Sequence, residues 1–209
     1  MAPHPPLSPR LALWIQFFFL AYGAFFYVSW LPTYIKEHRG VQGGLAAILD
    51  GVPLFFMGLG SIFCGFFLPW LGRRLGSVAR ARRLMACVGF LGSSILLFLS
   101  VQIAHPVWAI LVMGLAAFAN DLVMPPSWAA CMDLGRAYSG TVSATMNMVG
   151  AIGAAISPLL AARIVDHWTK QNWNVVLYVS AAAYFLGAFC WILLDPVTPL
   201  EQEPKETLA

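Results

Sequence analysis

The sequence predicts an all-α integral membrane protein, a bundle of six transmembrane helices. Three observations carry that prediction. Hydrophobic residues fill 60% of the 209 positions and charged residues only 10%, whereas soluble domains average roughly 45–50% and about 25%. A soluble fold of this size could not bury so much apolar surface. The apolar residues gather into six runs, each long enough for the roughly 20 residues a membrane helix needs. Finally, the runs are too long for membrane strands and do not alternate as strands would. Helices satisfy their own backbone groups in lipid, so they are the spanning element.

Residues 1–10, "MAPHPPLSPR", form a polar, Pro-rich lead that is expected to be a linker. The apolar run behind it is too long for a signal-peptide core. The membrane domain is expected over 11–195, with spans at 11–35, 45–68, 84–103, 107–131, 139–162 and 175–194. Residues 196–209 are polar and Pro-containing, and disorder is expected there. Cys64, Cys87, Cys131 and Cys190 lie in apolar runs without metal or redox spacing, and read as small buried hydrophobes.

Basic residues set the orientation. Arg10, Arg73, Arg74, Arg80, Arg82, Arg83, Arg136 and Lys205 lie on one side of the predicted spans, and Lys36, Arg39, Arg163 and Lys170 on the other. By the positive-inside bias both termini are cytoplasmic. The net charge of +3 is small, and the clustering speaks to topology rather than to a nucleic-acid partner.

The first span carries Gln16, Gly23, Tyr27 and Trp30 as a polar and aromatic stripe. Aromatic residues so spaced serve packing more often than they line a cavity. Asp50 lies near the far end of the second span, where it would line a vestibule or reach the interface. The fourth span contains "NDLVMPPSWAACMD", 120–133. There Asn120, Met124 and Trp128 follow i, i+4, i+8, and Asp121, Pro125 and Trp128 follow i, i+4, i+7, so the stripes overlap on one face. At a rise of 1.5 Å per residue Asp121 sits about 15–20 Å deep. An acid facing lipid there costs about 2.5–3.5 kcal/mol or more. It is read either as a ligand- or ion-binding position or as a protonated acid bonded to a neighbouring helix. Pro125 and Pro126 remove two N–H donors, so a kink or break is expected. Such breaks survive at membrane depth only where protein or a cavity accepts the freed carbonyls. Trp128 is either a belt residue or a cavity-lining one. In the fifth span Gly140, Ser143 or Ala144, Asn147, Gly150 or Ala151, and Ala154 put small groups on one face, which favours close helix contact. Asn147 would bridge helices there or bind a ligand.

Several classes are excluded. No Gly-x-Ser-Gly string pairs with a His inside a span, only Asp121 is deep among the acids, and no P-loop string occurs. An enzyme is therefore not expected, nor is a cofactor or metal. A channel is harder to exclude than an enzyme, but its filter would need rings of carbonyls or charges from an oligomer, and no re-entrant segment is evident.

The segment "GFFLPWLGRR", 65–74, resembles the glycine–acid–arginine loop of major facilitator transporters. Gly65, Gly72, Arg73 and Arg74 match, while Pro69 and Trp70 replace the acid and the first basic residue. Further on, Trp128, Asp133, Arg136, Ser139, Gly140, Asn147 and Pro158 are similar in order to the tenth and eleventh spans of the anion:cation symporter branch. "FFYVSWLPTYIKEHRG" resembles that branch's seventh span. The likeness runs over about 11–195. It implies spans 7–12, the second half of a major facilitator fold, with 1–10 as the end of a central cytoplasmic loop. It also implies alternating access and proton-coupled symport of a small organic anion, a sugar acid or related carboxylate, across the cell membrane. Tyr27, Asn120, Asp121, Trp128 and Asn147 are the candidate substrate-binding residues, with Asp121 resting on depth alone. Gly65, Gly72, Arg73, Arg74, Asp133 and Arg136 are the candidate gating residues. The expected partners are the organic anion, H⁺, the lipid bilayer, and the missing N-terminal half or a second half-transporter. The alternative is a six-span scaffold or regulatory half without transport of its own.

Overall fold

The computed structural model describes residues 9–168 and 172–197, without the side chains of 9, 10, 167 and 168. The expected disordered tail therefore lies almost wholly outside the described residues. So do Lys170, Lys205 and most of the lead. The described chain is helical and has no strand.

The first span is α1, Pro9–Ser29, continued by the single turn α2, Leu31–Thr33, and a π-helical turn, Tyr34–His38. The second is α3, Gly43–Leu75, and the third is α4, Val78–Gln102. The fourth is broken into α5, Pro106–Asp121, and α6, Met124–Gly135. A 3₁₀ turn, Arg136–Tyr138, leads into α7, Ser139–Arg163, which ends in a π turn, Ile164–Trp168. The sixth is α8, Trp173–Leu193. Five helical runs have the length and apolarity to cross a membrane. One of them, Pro106–Asp166, has 61 residues, about 90 Å at 1.5 Å per residue. It holds two crossings folded back at Arg136, whose φ of 43° is the one positive value among described non-glycine residues. Such a conformation costs of order 1–3 kcal/mol.

One expectation is corrected. Gly65, Gly72, Arg73 and Arg74 do not form a loop, because α3 runs through all of them to Leu75. Pro69 is accommodated inside the helix, and Gly76, at φ 61°, supplies the left-handed residue that stops it. The connection is reduced to Gly76 and Ser77, whose hydroxyl caps α4 by accepting from the Arg80 N–H at 3.3 Å.

α1 packs on α7 and α8, α4 on α5 and α8, and α3 on α5. Close approach depends on missing side chains. A Cβ at Gly153 would stand 2.4 Å from the Phe18 carbonyl oxygen, and one at Gly60 2.3 Å from that of Phe118. The small residues of α7 divide between two faces. Gly150, Gly153, Ala154 and Ser157 are buried, with Gly150 and Gly153 against α1, while Gly140, Ala144, Asn147, Ala151 and Ala155 are exposed.

α3 is the least covered span. Only 17% of its most apolar window is buried, against 61% for Pro106–Asp166. Gly44, Gly51, Gly58 and Gly65 recur every seven residues along it, and a Cβ at any of them would meet nothing within 4 Å. A heptad drifts only about 20° around a straight helix, so these glycines form one smooth strip on the uncovered side.

Each end of the bundle is fastened by an arginine pair or a single arginine. At one end Arg82 pairs with Asp133 at 2.6 Å and also donates to the Pro196 carbonyl at 2.8 Å, while Arg83 donates to Leu194 O at 2.8 Å. At the other, Arg39 donates to Tyr34 Oη, Ile103 O and Ser100 O at 2.7, 2.7 and 3.1 Å. Arg39 thereby caps the end of α4, taking Ile103 O and sharing Ser100 O with the Ile103 N–H.

Candidate functional site

The break in the fourth span follows from its prolines. In a continuous helix the N–H groups of Pro125 and Pro126 would meet the carbonyls of Asp121 and Leu122, and neither exists. The chain tightens instead. The Leu122 N–H is shared between Phe118 O at 3.3 Å and Ala119 O at 3.2 Å, and the Val123 N–H reaches Asn120 O at 3.1 Å. The Cys64 thiol of α3 donates to the freed Leu122 O at 3.3 Å. Protein thus supplies the acceptor's partner, as lipid could not. The break falls two residues before Pro125, within the stretch the sequence marked.

Above the break, α5 is tied to α3. Asp121 Oδ2 accepts from Ser61 Oγ at 2.8 Å, and Oδ1 accepts from Asn120 Nδ2 at 3.1 Å. Asp121 is 8% exposed and Asn120 fully buried. Below the break, α6 is tied to α1 and α8 through one amide. Gln16 Oε1 accepts from Ser127 Oγ at 3.3 Å and Trp191 Nε1 at 3.0 Å, and its Nε2 donates to Leu13 O at 3.0 Å. Gln16 and Ser127 are fully buried.

Three polar atoms in this layer have no hydrogen-bond partner: Asn120 Oδ1, Tyr27 Oη and Tyr184 Oη. Tyr184 packs over Gly23, within electrostatic range of Tyr27 and Asp121. Buried groups without a partner are costly, about 1–3 kcal/mol each.

The five predicted substrate residues are therefore distributed. Tyr27, Asn120 and Asp121 are buried, the last two directly before the break. Trp128 is half-buried on α6, edge-on to Phe17 at 6.1 Å. Asn147 is exposed on the outward small-residue face of α7. Of the gating set, Arg73 and Arg74 are exposed at the end of α3, where Arg74 covers the Trp70 ring at 5.4 Å. Asp133 turns to Arg82 on α4, fifty-one residues away in sequence, and Arg136 occupies the sharp turn between α6 and α7. An open hollow of about 460 Å³ lies among Gly72, Arg73, Gly76, Ser77, Arg82 and Ala129. Sequence reasoning missed Ser61, Cys64, Ser127 and Trp191. A lone hydroxyl or thiol in an apolar run was the available signal, too common in membrane helices to single them out.

The family model described as Major Facilitator Superfamily matches residues 3–158. The probable sulfoacetate transporter SauU of Cupriavidus necator is 24% identical over 180 residues, 86% of this chain and 41% of that protein. The probable galactarate/D-glucarate transporter GudP of Escherichia coli is 26% identical over 181 residues, covering 86% and 40%. Probable anion transporter 1, chloroplastic, of Oryza sativa is 26% identical over 190 residues, covering 90% and 35%. The chain spans about two fifths of the length of such relatives.

Proposed function

The chain belongs to the major facilitator superfamily, and on that premise we propose that it supplies the second six-helix half of a transporter for a small organic anion. The single observation that carries this reading is the likeness to relatives named for sulfoacetate, galactarate or D-glucarate, and unspecified anions. Family membership and the apolar helices make it a multi-pass membrane protein rather than an enzyme. Proton-coupled symport by alternating access, residence in the cell membrane and cytoplasmic termini are part of the proposal. The excess of basic residues at the Arg73–Arg83 end supports that orientation.

The complete carrier has a second six-helix body against this one. The uncovered glycine strip of α3 and the exposed Gly140–Ala155 strip of α7 suit that packing, because small residues let helices meet closely. Substrate binds between the two bodies near mid-membrane. Trp128 and Asn147 touch it directly, whereas Tyr27, Asn120 and Asp121 become reachable when α5 and α6 pivot about the break. Gly65, Gly72, Arg73, Arg74, Asp133 and Arg136 gate the cytoplasmic end.

Uptake of radiolabelled hexarates, hexonates and sulfoacetate by the protein with both halves tests this. Trp128→Ala with Asn147→Ala cuts uptake at least tenfold with surface expression unchanged. Wild-type uptake by the double variant removes both residues from the site. Failure of the complete protein to move any of these anions favours the scaffold reading.

A further inference from the structure

Asp121 is an acid with no cation. Its two oxygens accept only from neutral groups, Ser61 on α3 and Asn120 on its own helix. The other elements packed around it offer no charge either. Cys64 on α3 gives its thiol to Leu122 O. Ser93 on α4 gives its hydroxyl to the carbonyls of Gly89 and Ala116. Ser127 on α6 bonds to Gln16 and Val123 O. Tyr184 on α8 and Tyr27 on α1 bring phenols only. Every described arginine and lysine sits at or near a helix end.

The neighbouring amide offers the acceptor that a protonated acid needs. Asn120 Oδ1 is a buried acceptor with no donor. The two ends of an amide are interchangeable in placement, and turning Asn120 over brings its oxygen to Asp121 Oδ1. A carboxylate could not donate to it, whereas a carboxylic acid could. With one proton on Oδ1, the acid donates to Asn120 Oδ1 while Oδ2 still accepts from Ser61. The charge vanishes and the count of hydrogen bonds is kept, with Asn120 Nδ2 now the unpartnered end of the amide.

We propose that Asp121 is a proton-binding site inside the membrane, protonated towards Asn120, and that it is where the proton of the symport boards and leaves. The coupling part rests on the transport reading above, and the protonation part does not. Asp121 is the last residue of α5, directly before the break, so a pivot there moves the carboxyl relative to Ser61 on α3. On ionisation the O–H bond at Oδ1 breaks, the electron pair stays on the carboxylate, and the proton passes to water admitted at the opened break.

Infrared difference spectroscopy of the chain in bilayers, wild type minus Asp121→Asn, tests protonation. A carboxylic-acid C=O band is present at neutral pH and absent from the variant. It moves to higher frequency in Ser61→Ala, which removes the hydrogen bond to Oδ2 and leaves the acid in place. A carboxylate signal at neutral pH overturns the site, whether or not the protein transports. In the complete carrier, Asp121→Asn loses the acceleration of uptake by an inward proton gradient, read as the ratio of uptake with and without the gradient in the same variant, whereas Asp121→Glu, which keeps a carboxyl, retains it. An unchanged ratio in Asp121→Asn overturns the coupling role, and so does loss of the acceleration in Asp121→Glu. An inactive wild type would fail the transport reading while the infrared result still decides protonation.

Discussion

α5 and α6 arise from one apolar run, yet they are fastened to different neighbours. α5 holds α3 through Asp121 and Ser61 and through the close approach at Gly60. α6 holds α1 and α8 through Ser127, Gln16 and Trp191. Between them lie Leu122, whose N–H is shared between carbonyls four and three residues back, Val123, whose bond is of the short 3₁₀ kind, and one carbonyl served by a thiol. A continuous helix transmits a push along its axis. This one is interrupted, with α5 bonded to α3 on one side of the break and α6 to α1 and α8 on the other, and the two prolines are the reason.

The largest effect should come from closing the gap that seats α5. Gly60→Ala places a methyl 2.3 Å from the Phe118 carbonyl oxygen, and overpacking against backbone costs about 1–3 kcal/mol or more. A lowered thermal midpoint in detergent checks it. Gly58→Ala, two residues along with open space around it, stays within about 0.5 kcal/mol of wild type. Equal losses at both positions would mean that α3 is not seated on α5 as described.

Gln16→Leu comes next. It strips the Trp191 indole of its acceptor and costs about 1–3 kcal/mol. Hydrogen exchange should quicken in α6 and α8 more than in α5, and Ser61→Ala should reverse that ranking. A smaller gain follows from Pro125→Ala with Pro126→Ala, which returns two N–H donors to the helix. At about 0.5–1.5 kcal/mol net per hydrogen bond, the span becomes more stable and straighter, and transport by the complete carrier slows. Faster transport in that variant would deny the break a role in the cycle.

The smallest effect lies away from the break. Burial and the adjacent Arg39 hold the His38 imidazole below its ordinary value, with a hydrogen bond to Asn174 opposing them. The folded state therefore resists protonation. The stability His38 contributes is present above its unfolded pKa, about 6.5, and is lost as pH falls through the lower folded value. His38→Gln should flatten the acid side of the thermal-stability profile slightly, and an unchanged profile would remove His38 as its cause.

Much of the fold was legible because spanning is a local property. The six runs appear as helices whose ends shift by a few residues. The largest shift is at α3, which continues for seven residues past the expected end because Pro69 is accommodated within the helix and the left-handed Gly76 is what stops it. The break was legible too, since a missing N–H acts on the carbonyl four residues back in the same segment. Partners were not legible. Asp133 pairs with Arg82 of α4, fifty-one residues away, and no local spacing announces that partner. The small residues of α7 read as one face and serve two, because i+3 and i+4 neighbours diverge around a helix.

The sequence by itself determined that this is a membrane protein of six helical crossings, and that the fourth crossing breaks beside its prolines. Length, polarity and absent donors act within a segment and need no partner. Only the tertiary structure decided what Gln16 and Asp121 do. The bonds that define them join residues 60 to 175 positions apart, and no local pattern in either segment encodes the other's place in the bundle. In lipid the alternative to such a bond is a polar group with nothing to meet, so packing selected the partners.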